Sequence, residues 1–140
     1  MSKFSVEPYL FFKGNAREAM EFYKSVFGGQ LDISDADPEQ MGDMPNKDWF
    51  KGKVMHSSLK GPVNLMASDS TMASENTAKV ELSLGGTDEK QMREIFDKLS
   101  KGGKVKMPLE KQFWGDIFGT LTDKYGVDWM MNIGTNMPAS

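Results

Sequence analysis

A chain of 140 residues with 39% hydrophobic and 26% charged positions has the composition of one globular domain large enough to close a core. Seventeen Lys and Arg against twenty Asp and Glu leave a net charge of −3, without the basic excess that a nucleic-acid surface requires. No apolar run approaches the ~20 residues that span a bilayer. The absence of cysteine excludes disulfides, thiolate nucleophiles and Cys-based metal sites. Met1-Ser2-Lys3-Phe4-Ser5 carries no signal-peptide apolar region, so a cytoplasmic protein without nucleic-acid or membrane partners is expected.

In chain order, Val6–Phe12 predicts a strand, with Pro8 tolerable at a strand start or edge. Gly14-Asn15 opens an amphipathic helix with Ala19, Phe22, Tyr23 and Val26 on one stripe, closed by Gly28-Gly29. Asn15 suits its N-cap, with Glu18 completing a capping-box-like pair. Gln30–Ser34 predicts a short strand, and 35–52, rich in acidic residues, Pro and Gly, a loop long enough to be a lid. The acidic residues of that loop lack the glycine and glutamate spacing of an EF-hand. Lys53–Lys60 and Pro62–Ala67 predict a hairpin around Gly61.

The plan then repeats. Lys79–Leu84 predicts a strand, and Asp88–Ser100 a helix with Met92, Ile95, Phe96 and Leu99 on its stripe, closed by Gly102-Gly103. Lys104–Leu109 predicts a strand, and Ile117–Thr122 and Val127–Ile133 a hairpin. The expected architecture is a single α+β domain of two βαβββ modules, 4–67 and 78–134, joined by a polar linker, 68–77. Folds of two such halves usually place a site between them.

Alternation sorts the strand residues into faces. Trp129, Met131 and Ile133 oppose Asp128, Met130 and Asn132; Val80, Leu82 and Leu84 oppose Glu81 and Ser83; Met55 and Leu59 oppose His56 and Ser58; Val63 and Leu65 oppose Asn64 and Met66. The apolar faces are expected beneath the helices. The mixed faces suit a small-molecule pocket, which needs apolar area and a few orienting polar groups.

Several segments carry a resemblance: Gly14-Asn15-Ala16-Arg17-Glu18-Ala19, Glu21-Phe22-Tyr23, Val54-Met55-His56, Gln112-Phe113-Trp114-Gly115-Asp116 and Asp123-Lys124-Tyr125-Gly126-Val127-Asp128-Trp129. With the βαβββ repeat, they make the chain resemble the PhnB-like branch of the vicinal-oxygen-chelate superfamily, which includes glyoxalase, bleomycin-resistance proteins and extradiol dioxygenases. The resemblance implies a curved mixed sheet around a cavity and a homodimer. It also implies four metal-ligand positions on the first and last strands of the modules. These fall on Pro8, Asn64, Glu81 (or Val80 after a one-residue slip) and Met130, a set with at most one good ligand for a hard divalent ion.

The mixed faces, together with the loss of ligand types at these four positions, lead to the expectation of a metal-free small-molecule binding protein with no cofactor. Cavity candidates are Phe12, His56, Asn64, Glu81, Trp114, Met130 and Asn132. The alternative is a lyase or dioxygenase with a divalent metal held by Glu81, His56 and a partner-chain group. His56 is the sole histidine, so it alone could act as a general base near neutrality; the same position also suits a hydrogen-bonded strand residue. Trp114, beside a glycine kink, suits a pocket wall or a dimer contact. Relatives have carried a ubiquinone-type methyltransferase label. The chain has no strand followed by a Gly-rich turn opening a helix, the usual seat of a nucleoside cofactor; Gly85-Gly86 is too weak a signal.

Overall fold

A computed structural model describes residues 6–71 and 80–134. Its contacts divide the chain into two compact units, Met1–Ser74 and Glu75–Ser140. The first contains β1 (Tyr9–Phe12), α1 (Ala16–Phe27), β2 (Gln30–Asp35), β3 (Val54–Lys60) and β4 (Leu65–Asp69). The second repeats the order with β5 (Leu82–Gly86), α2 (Glu89–Ser100), β6 (Lys104–Lys111), β7 (Ile117–Thr122) and β8 (Asp128–Ile133). Each unit is a four-stranded mixed sheet, ordered β1-β4-β3-β2 in one and β5-β8-β7-β6 in the other. The first strand of each runs parallel to the last, and the other neighbours are antiparallel.

Each helix lies on one face of its own sheet and fills it. Ala16, Ala19, Met20, Tyr23 and Val26 of α1 are buried with Leu59, Leu65 and Ala67 of the sheet. Met92, Phe96 and Leu99 of α2 are buried with Leu121, Trp129, Met131 and Ile133. The two glycine pairs after the helices let the chain turn back against its own hairpin. A Cβ on Gly29 would lie 2.6 Å from the Lys60 carbonyl oxygen, and one on Gly103 would lie 2.3 Å from that of Thr122.

The helix ends are secured differently. Asn15 makes no side-chain cap on α1. The donors of that end go instead to Asp69, at the end of β4: its Oδ1 accepts from Gly14 N at 3.0 Å and Ala16 N at 2.9 Å, and its Oδ2 from Val54 N at 2.9 Å. At α2 the cap is local, with Asp88 Oδ1 accepting from Gln91 N at 3.1 Å.

Several boundaries move from those expected. β1 begins at Tyr9, not Val6, and β5 at Leu82, with Lys79 outside the described residues. Val80 is exposed rather than packed. β4 continues through Ser68 and Asp69, both buried, so these residues belong to the sheet rather than to the 68–77 linker; 72–77 lies outside the described residues. Span 35–52 contains short 3-10 turns at Pro38–Gln40 and Lys47–Phe50, and Ala36 and Phe50 are buried. Met55 is exposed while Val54 is buried. The pairing steps from Ser34↔His56 to Asp35↔Val54, so Met55 is the extra residue of a β-bulge that inverts the alternation there.

Candidate functional site

The faces turned away from the helices carry the polar and aromatic side chains. In the first unit, cross-strand pairing places Tyr9, Met66, Ser58 and Asp32 in one row, and Phe11 beside Ser68 and His56 beside Ser34 in the next. The Tyr9 hydroxyl lies 3.3 Å from His56 Nδ1, and its ring centroid lies 5.0 Å from that of Phe11. The result is an aromatic floor with one imidazole whose proton roles follow its tautomer.

In the second unit the corresponding row is Ser83, Met130 and Thr120, with Gly85, Asn132 and Phe118 beside it. Thr120 is buried, whereas Met130, Asn132 and Phe118 are partly accessible. Asn132 Nδ2 donates to Asp116 Oδ2 at 2.9 Å, and the Trp114 and Phe118 rings stand 6.2 Å apart.

The other end of this face is a charge network. Lys106 is the extra residue where the pairing steps from Val105↔Leu121 to Met107↔Thr120, and this bulge turns its side chain across the sheet. Its Nζ donates to Glu81 Oε1 at 3.3 Å and Asp128 Oδ1 at 3.4 Å. Thr122 Oγ1 also donates to Asp128 Oδ1, at 2.5 Å. Burial alone would lower the Lys106 pKa. The Glu81 hydrogen bond and the charge of Asp128 outweigh it and hold the ammonium above its ordinary value.

The expected site residues thus separate. Met130 and Asn132 share one face with Trp114 at its rim, and Glu81 belongs to the Lys106 network of the same unit. His56 lies on the equivalent face of the first unit. Phe12 does not: it pairs with Asp69 on the helix side and is buried, because alternation from Tyr9 puts Tyr9 and Phe11 on the open face. Asn64 precedes β4 and accepts from Gly61 N at 3.2 Å, so it is a turn residue. The position matching Met130 in the first unit is therefore Met66. Tyr9, Met66, Thr120, Phe118 and Asp116 were absent from the expected set, although period-two alternation, once the register is known, selects the first four.

The donor set fits a metal poorly. The open-face pairs on the first and last strands are Tyr9–Met66, Phe11–Ser68, Ser83–Met130 and Gly85–Asn132. Glu81 already faces an ammonium. Among the described residues no three His, Cys, Asp or Glu side chains gather as a metal site would require.

On the helix side, a groove of about 540 Å³ runs along α1 and β2, lined by Arg17, Glu21, Lys24, Ser25, Leu31 and Ile33. Arg17 is ion-paired with Asp35 at its edge.

A mixed βαβββ sheet carrying one helix, made twice, with a filled helix face and a furnished open face, is the vicinal-oxygen-chelate architecture. The chain belongs to the PhnB-like family of that fold: residues 4–132 match the family model described as 3-demethylubiquinone-9 3-methyltransferase. It is 30% identical to protein YjdN of Escherichia coli K12 over 95% of this chain and 97% of that one. Protein PA1353 of Pseudomonas aeruginosa, at 36% identity, superposes with a TM-score of 0.77 over 94% of this chain and 98% of that one. A Bacillus cereus PhnB protein, described as a putative 3-demethylubiquinone-9 3-methyltransferase, is 31% identical with a TM-score of 0.75, covering 94% of this chain and all of that one. A glyoxalase-related enzyme from Fulvimarina pelagi shares the fold at 11% identity, with a TM-score of 0.63 over 98% of this chain and 94% of that one. No helix among the described residues is long and apolar enough to cross a membrane.

Proposed function

We propose that this chain is a metal-free small-molecule binding protein, cytoplasmic and homodimeric, that holds its ligand on the open faces of its sheets. One observation carries the reading. On each sheet the helix side is filled by apolar side chains, while the opposite side sets a methionine among aromatic and hydrogen-bonding groups. Met66 lies with Tyr9 and Ser58, and Met130 with Ser83 and Thr120. Apolar area with a few fixed polar groups is what a small-ligand site uses for affinity and orientation, and methionine adapts its shape to the ligand. The open-face positions on the first and last strands hold Tyr9, Met66, Ser83 and Met130, poor ligands for a hard divalent ion, which speaks for binding without a metal.

A thermal-shift screen of chemically diverse organic compounds on the whole chain tests this. At a hundredfold excess over its dissociation constant, a ligand specific to the folded state adds about 2.7 kcal/mol of stability, a shift of several degrees. A screen in which no compound raises the melting temperature would overturn the proposal.

A further inference from the structure

Between β6 and β7 the chain makes a tight loop at 112–116, closed by Gln112 N to Asp116 O at 2.8 Å and Gly115 N to Gln112 O at 2.9 Å. Gly115 sits at φ 101°, a left-handed conformation that glycine adopts without strain. The loop holds out two large rings, Phe113 at 96% exposure and Trp114 at 50%. They stand edge to face, 4.9 Å apart at 89°. Trp114 also meets Phe118 of β7, 6.2 Å away at 66°.

The same loop ends in a carboxylate. Asp116 is partly buried and accepts from Asn132 Nδ2. Asn132 is the cross-strand partner of Phe118, which fixes the carboxylate next to the open face. That hydrogen bond consumes a donor and supplies no positive charge. The other oxygens, Asp116 Oδ1 and Asn132 Oδ1, are acceptors. Among the described residues, Asp116 takes part in none of the ion pairs that join Arg17 to Asp35, Arg93 to Glu89, and Lys106 to Glu81 and Asp128. At the other end of the same face, by contrast, Asp128 and Glu81 are already satisfied by Lys106.

We propose that Trp114, Phe118 and Asp116 form a subsite for an organic cation, an ammonium or alkylated amine. The ring faces attract the positive charge through their quadrupoles, and the carboxylate supplies the counter-charge. A neutral ligand in the same place would bury an unpaired carboxylate, and an anionic one would face a like charge. The proposal deepens the small-molecule reading and rests on it.

The test is a titration of the native chain with choline and with its neutral carbon isostere, followed through the Trp114 indole N–H resonance. Choline is expected to saturate, with the isostere about tenfold weaker. Asp116→Asn should weaken choline about tenfold and leave the isostere unchanged. Should that variant fail to fold, the comparison of the two compounds on the native chain decides alone. Equal binding of the isostere, absence of saturation by choline, or indifference to Asp116→Asn overturns the subsite. So does a Trp114 resonance that moves with protein concentration alone, the sign that a second copy covers the rings. If choline does not bind while uncharged compounds still raise the melting temperature, only the cation subsite falls; if nothing binds, both readings fall.

Discussion

The two units share an element order, a sheet topology and twelve-residue helices, yet they anchor those helices by opposite routes. α2 is capped by the residue just before it, Asp88. α1 is capped from the far side of its module, by an aspartate that ends the last strand and also ties down the start of β3. A local cap forms with its helix and secures little else. A remote cap requires the sheet to be assembled first and then locks helix, hairpin and strand together. The second unit's own buried aspartate, Asp123, serves a turn instead, accepting from Tyr125 N and Val127 N and from the Trp129 indole at 2.8 Å. The same architecture can thus be closed by different polar knots, and only some are written next to the residues they serve.

Three substitutions should separate the two routes by size. Asp69→Ala leaves three backbone N–H groups without their acceptor in a buried corner and should cost about 3–5 kcal/mol. Asp88→Ala removes one local cap bond and should cost about 1 kcal/mol. Asn15→Ala, at a capping position whose side chain caps nothing, should stay within about 0.5 kcal/mol. Urea unfolding midpoints read all three, and an Asn15→Ala loss as large as that of Asp88→Ala would erase the distinction.

A smaller effect sharpens the comparison on the open face of the second unit. The Lys106 pKa is raised in the fold, so its contribution is complete below the ordinary lysine pKa, about 10.4, and fades as pH climbs through the higher folded value. Because the pair is more than one-third exposed, solvent screening keeps this below about 1 kcal/mol. Lys106→Met should remove that alkaline component, so the difference in stability between native chain and variant should hold constant up to about pH 10 and shrink above it. A difference that stays constant above that pH as well would mean the network is packing rather than charge.

Much of the frame was legible because periodicity is local. Both helices, both glycine stops and the alternation of Trp129, Met131 and Ile133 against Met130 and Asn132 follow from spacing alone. The misses share one cause, information held outside the segment being read. Asn15 looks like a cap because nothing near it reveals Asp69, 54 positions later. Met55 looks inward because a bulge depends on the partner strand's register. Ser68 and Asp69 look like linker because short polar residues are as common in turns as in the sealed end of a strand. Asn64 follows the strand alternation in sequence, but the strand starts one residue after it. The candidate site shows the same division. Asn132, Met130 and His56 were reachable by alternation, whereas the Asp116–Asn132 pairing needed the register of β7 against β8.

The most direct test of binding on the open faces uses methionines already present as probes. Met66 and Met130 lie on those faces, whereas Met20, Met92 and Met131 are buried on the helix sides. Methyl NMR of the methionine side chains, recorded while small-molecule mixtures are added, should show ligands shifting Met66 or Met130 and leaving Met20, Met92 and Met131 in place. Ligands that move only the helix-side methyls, or no methyl at all across the mixtures, would contradict the account.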